Sequence, residues 1–117
     1  MNKPEVINTI YDALNRYDAS GISQYLADDV QIIPLWREMD PIVGIQAVTD
    51  SLQKMLSISE ESHIVFKSGP HVMGDVIVVE YIHNYKLNGV SKQDHNVSLF
   101  VFVGDKIKKW VGYIHPK

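Results

Sequence analysis

An α+β fold follows from three features of this 117-residue chain. Amphipathic helical segments occupy its first half. Four β-like runs, separated by turn signals, fill its second half. No linker, repeat or low-complexity segment interrupts them, so residues 1–117 are expected to form one domain around one core. Helices first and antiparallel strands after place the helices on one face of a curved sheet.

The elements follow in order. "NKPEVINTIYDALNRYD" reads as an amphipathic helix with Val6, Ile10, Ala13, Leu14 and Tyr17 on one stripe. Asn2 followed by Glu5 forms a capping-box pattern, and Pro4 suits a first helical turn. "DASGISQYLAD" starts a second, short helix with Asp18 as N-cap and Ile22, Tyr25 and Leu26 facing inward. "VQIIP" is a short strand over Val30 to Pro34, and "LWREMDPIVG" an irregular loop carrying Trp36. "IQAVTDSLQKMLSI" is a third helix with Ile45, Val48, Leu52 and Met55 on one face. The β half then reads "SHIVFKSGPHV", "DVIVVEYIHNYKL", "SKQDHNVSLFVFV" and "KIKKWVGYI", divided at "MGD", "NG" and "GD".

Composition narrows the function classes. Hydrophobic residues at 45% and charged residues at 21% are ordinary for a globular domain and argue against disorder. A net charge of −3 supplies no electrostatic footprint for nucleic acid or an anionic membrane, and neither is expected as a partner. The one basic run, "DKIKKW", reads as the solvated end of a hairpin. The absence of cysteine removes disulfides, thiolate metal sites and a cysteine nucleophile. The histidines are scattered, with no HxH or HExxH spacing, so no metal site and no cofactor is expected. The first twenty residues are polar-interrupted and no apolar run approaches a membrane span, so a cytoplasmic location is expected.

The stretch "VVEYIHNYKLNG" carries the chemistry. Asn88-Gly89 is the strongest short hairpin signal, because both turn positions need φ > 0. A two-residue turn there sets Leu87 against Val90, and the register follows outward. His83 then lies opposite Asp94, Tyr81 opposite Asn96, Val79 opposite Ser98 and Ile77 opposite Phe100. Opposed side chains sit about 5 Å apart at Cβ. One face therefore gathers Tyr81, His83, Asp94, Asn96 and Ser98, and the other pairs Glu80 with Val97 and Ile82 with His95. A histidine beside a carboxylate is the arrangement a general acid–base needs. A solvated hairpin end would also carry His, Asp and Asn facing water.

From end to end, the chain resembles the NTF2-like superfamily, which includes SnoaL-like proteins, ketosteroid isomerases and limonene-1,2-epoxide hydrolases. The resemblance rests on the helix "YDALNRYDASGISQYLADDV", the helix entry "PIVGIQAVTDSL" and the terminal "VGDKIKKWVGYI", in that order and spacing. The pattern is closest to the limonene-1,2-epoxide hydrolases. It implies a cone: a strongly curved mixed sheet wrapped around N-terminal helices, enclosing a pocket, with dimers formed through the outer sheet face. It also turns Tyr81 and His83 into that pocket, with Asp94, Asn96 and Ser98 beside them.

The resemblance also implies what this chain lacks. The epoxide hydrolase positions for a second acid and for the water-holding Tyr and Asn fall on Gly112, Ile32 and Pro34. The isomerase base falls on Pro34, and its oxyanion-hole tyrosine on Ile10. Neither activity is expected. The candidate catalytic residues are His83 as acid–base, Asp94 to orient it, and Tyr81 as donor to a substrate oxygen. Asn96, Ser98, Trp36, Trp110, Met55 and Ile32 are the candidate ligand-pocket residues, with Leu52 and Ile10 on the apolar wall. A strict two-residue turn at Gly104-Asp105 would put Trp110 outside. The resemblance puts it inside, which requires a bulge or a longer turn. Ile82, Val97, Leu99, Val101 and Val111 make the outer face too apolar for a solvated sheet, so a homodimer through it is expected. Three readings remain open: a cofactor-free isomerase, cyclase or dehydratase acting on an apolar carbonyl-bearing molecule, a non-catalytic binding module, and a structural dimerisation domain.

Overall fold

The computed structural model describes residues 2–35 and 40–115. The first helix, α1, spans Lys3–Asn15. Asn2 caps it by accepting a 2.9 Å hydrogen bond from the Glu5 amide, and Pro4 lies in its first turn. Tyr17, expected on the α1 stripe, is instead outside the helix at φ 60. The second helix is a 3-10 helix, Ala19–Tyr25, capped by the Asp18 side chain accepting from the Gly21 amide. The first strand is longer than its sequence reading: β1 runs Leu26–Pro34, so Leu26 begins a strand rather than continuing a helix. The loop read as irregular contains a two-residue strand, β2, Ile42–Val43. Trp36, expected over the pocket, lies outside the described residues. Helix α2 spans Ile45–Ile58, as its periodicity predicts.

Strands β3 (Glu60–Met73), β4 (Val76–Leu87), β5 (Val90–Val103) and β6 (Lys106–His115) complete one six-stranded sheet of order β2-β1-β6-β5-β4-β3. β1 lies parallel to β6, and the other neighbours are antiparallel, so the sheet is mixed. Asn88 and Gly89 take φ 52 and 78, and β4 pairs with β5 without a shift from Val76–Val101 to Leu87–Val90. The turn chemistry thus sets the register of the central hairpin. At the next hairpin, Val103 pairs with Lys106 across Gly104-Asp105, the strict two-residue turn. Phe102 then pairs with Ile107 and Val101 with Lys109, leaving Lys108 as an extra residue. That bulge reverses the parity, and Trp110 faces inward opposite Phe100.

The core lies between the helices and the concave face of the sheet. Ile7, Ile10, Leu14, Val48 and Leu56 meet Ile77, Val79, Phe100, Phe102 and Ile107, all almost fully buried. Each such side chain contributes about 1.5–3 kcal/mol by leaving water. Phe100→Ala, at the centre of this layer, is expected to cost about 3–5 kcal/mol. Among the described residues, no helix is long and apolar enough to cross a membrane.

Candidate functional site

A cavity of about 600 Å³ opens inside the cone. Its polar wall is the inner face of the β4–β5 hairpin: Tyr81, His83, Tyr85, Asp94, Asn96 and Ser98. Leu14, Leu52 and Met55 from the helices, Ile32 and Ile42 from β1 and β2, and Trp110 supply apolar lining. Strand alternation explains the wall, because residues two apart share a face. Trp110 packs on Phe100 with ring centroids 4.8 Å apart and is fixed at the base of the cavity.

The buried end collects hydroxyls. Ser98 Oγ donates to the Tyr81 hydroxyl at 3.3 Å. The Tyr11 ring stands 5.1 Å from that of Tyr81 and edge-on to Phe66 at 5.0 Å. The Tyr11 hydroxyl is buried without a hydrogen bond of normal geometry, although Ser98 and Tyr81 are close enough to perturb its titration. Burial, with the neighbouring Tyr81 phenol, holds the Tyr11 phenol well above its ordinary pKa. Tyr11 therefore stays protonated and can donate. Asn96 Oδ1 is also buried, with no partner among the described residues. The family resemblance put the isomerase's oxyanion-hole position on Ile10; Ile10 is fully buried in the core, and its neighbour Tyr11 lines the cavity.

The upper wall is already paired. His83 Nε2 lies 2.7 Å from Ser62 Oγ, and both residues are buried. The His83 ring stacks on Tyr85 at 4.6 Å. The Tyr85 hydroxyl donates to Asp94 Oδ2 at 2.9 Å. His83 and Asp94 are opposed in register, as expected, but Asp94 does not orient His83 by a hydrogen bond. Ser62 holds the imidazole, and Tyr85 donates to the carboxylate expected to orient it. Burial pushes the His83 pKa below its ordinary value, and the negative charge of Asp94 opposes that only in part. His83 is a neutral ring at neutral pH.

Ser62 owes its place to a bulge. Glu61 takes φ 52, and the β3–β4 register shifts between Glu60 and His63. The Tyr17 hydroxyl accepts from the Ser62 amide at 2.6 Å and donates to the Ser59 carbonyl at 2.9 Å. Ile32, Pro34 and Gly112 line the cavity, so three positions singled out for lost acids and water-holders do border it. Among the described residues, no group of three or more His, Cys, Asp or Glu could hold a metal ion. The arrangement can donate hydrogen bonds to an oxygen at the buried end and can exchange a proton at a neutral imidazole higher up.

Solved structures share this architecture. A protein of ketosteroid isomerase-like fold from Catenulispora acidiphila, in complex with trimethylamine, superposes with a TM-score of 0.84 at 14% identity, covering 96% of this chain and 86% of that one. An epoxide hydrolase of the LEH-like type from Mycobacterium tuberculosis gives 0.80 at 15% identity, covering 96% and 81%. RV0760c from Mycobacterium tuberculosis, in complex with estradiol-17beta-hemisuccinate, gives 0.79 at 17% identity, covering 93% and 90%. At these identities the likeness shows the fold. No curated protein sequence matches the chain. The sequence profile of the SnoaL-like domain matches residues 7–110, and the chain belongs to this SnoaL-like, NTF2-like family.

Proposed function

We propose that the chain binds a small, largely apolar, oxygen-bearing molecule in the cone and catalyses a cofactor-free proton transfer on it, as an isomerase, cyclase or dehydratase does. The observation that carries this reading is the buried Tyr11 hydroxyl, which stands beside Tyr81 and Ser98 without a hydrogen bond of normal geometry, in a cavity of about 600 Å³. Such a volume suits a small metabolite. Protonated phenols aimed at a substrate oxygen stabilise the negative charge that develops there when a neighbouring carbon loses a proton. His83, neutral at neutral pH, is the base this reading assigns. Pro34 and Gly112 offer no carboxylate at the positions an epoxide hydrolase or ketosteroid isomerase would use, so neither of those reactions is proposed. The cytoplasm is the compartment this reading assumes.

Native mass spectrometry on protein purified gently from its own source tests the first half of the reading. A discrete added mass is expected, and the released molecule then serves as the assay compound. On that compound, Tyr11→Phe should lower kcat by about 10²–10³-fold, the effect of removing one preorganised donor. Turnover at the wild-type rate would remove Tyr11 from the chemistry.

A second reading has its own observation. His83 is tied to Ser62, and Asp94 to Tyr85, so the titratable pair is internally satisfied. A binding module that holds the same molecule without converting it needs no free base. Tight binding with no product, and affinity unchanged in His83→Gln, would favour it.

We also propose a homodimer through the outer sheet face. Ile82, Val97, Leu99, Val101 and Val111 are half-buried there in the single chain. Leu99 pairs with Val78 and Val111, and Val111 with Ile33, making an apolar row across four strands. Sedimentation equilibrium should give twice the monomer mass at micromolar concentration. A monomer there would sink the proposal.

A further inference from the structure

We propose that the ligand of this cavity carries neutral hydroxyl groups along one edge and is apolar along the opposite edge. This rests on the small-molecule reading above and narrows the class of molecule. Asp94, Asn96 and Ser98 share one face of β5 and all line the cavity. Residues two apart on a strand stand about 7 Å apart, so polar groups are offered along about 14 Å of one wall. The side toward Leu52, Met55, Ile32 and Ile42 is mostly apolar, although Ser51, Lys54 and Ser59 also line the cavity. A hydroxyl pointed that way would be stripped of water and left unpaired.

One buried polar atom on the lining, Asn96 Oδ1, has no partner among the described residues, and the Tyr11 hydroxyl, beside Ser98 and Tyr81, makes no hydrogen bond of normal geometry. Orphaned buried polar groups are rare in folded proteins and mark a missing partner. A hydroxyl both donates and accepts, so it satisfies the Asn96 carboxamide whichever way that amide is turned, and it satisfies Tyr11 equally. A lone carbonyl only accepts, and would leave Asn96 Oδ1 unpaired. A carboxylate fits worse. Among the described lining residues Lys54 is the sole lysine or arginine, and it is exposed, whereas Asp94 stands on the polar wall. An anion at the buried end would meet no countercharge among the described residues.

Isomeric probes separate edge from bulk hydrophobicity. In 2,7-naphthalenediol both hydroxyls lie on one long edge. In 2,6-naphthalenediol they lie on opposite edges, with nearly the same separation and the same composition. Isothermal titration of the full chain should show the 2,7-isomer binding about tenfold tighter, the worth of one hydrogen bond gained rather than lost. In Asn96→Leu, which fills the same space with an apolar group, the two isomers should bind alike. Equal binding to the wild-type chain, or a preference that survives in Asn96→Leu, overturns the proposal. Naphthalene binding as tightly as either diol would leave the cavity reading standing and remove the hydroxylated edge. If none of the three binds, the small-molecule reading falls, and this one with it.

Discussion

At the upper wall of the cavity His83 is held by Ser62 and Asp94 by Tyr85, whereas at the buried end Asn96 Oδ1 has no partner among the described residues and the Tyr11 hydroxyl makes no hydrogen bond of normal geometry. Both regions sit on the same sheet and carry similar side chains. Their energetics differ in sign. A buried pair that is satisfied holds the fold together, while a buried orphan costs about 1–3 kcal/mol in lost solvation. The most ionisable residues are therefore not the ones left waiting for a ligand. The wall that looks most like catalytic machinery is partly scaffold. The end that looks merely polar is where an incoming molecule has the most to gain.

Substitutions can break or sharpen this contrast. Within the cavity wall, the largest stability effect is expected at Ser62→Ala, which leaves His83 Nε2 buried and unpaired. Urea unfolding should show a loss of about 1–3 kcal/mol. An unchanged midpoint would mean the pair is not holding β3 to β4. Asn96→Leu should move the other way, with a gain of about 1 kcal/mol in the ligand-free protein, because an orphan is removed. A loss instead would show that Asn96 is already satisfied in solution. The smallest effect concerns pH. Below about pH 6.5 the unfolded chain takes up a proton at position 83. The folded chain resists, because burial holds its imidazole lower. The stability from this site is whole above that pH and declines as pH falls toward the folded-state pKa. Melting curves from pH 7 to 5 should be flatter for His83→Gln than for the wild-type chain. Equal slopes would mean that His83 titrates normally.

The hairpin wall was legible because a single local rule governs it. Asn88-Gly89 forces a two-residue turn, and alternation then assigns Tyr81, His83, Asp94, Asn96 and Ser98 to one face. Helix α2 was legible because its apolar period spans its whole length. What escaped the reading depends on irregular backbone or on distant packing. Ser62 reaches His83 only because Glu61 bulges at positive φ, and no residue pattern announces that bulge. Tyr17 leaves the α1 stripe because the helix stops at Asn15, and its hydroxyl is claimed by Ser59 and Ser62 far along the chain. Tyr11 was passed over because a phenol beside an aliphatic stripe reads as boundary. Its burial comes from Phe66, Tyr81 and Trp110, which arrive from three different strands.

The extra residue at Lys108 has a consequence for heredity. Beyond it, Trp110 and Gly112 line the cavity while Val111 faces outward. Removing that one residue, a loss of a single codon, would exchange the two sets. Val111 would enter the chamber, and the indole would be carried to the exterior. A gene in this lineage thus sits one triplet away from trading its binding chamber for a new adhesive exterior, without altering any other amino acid.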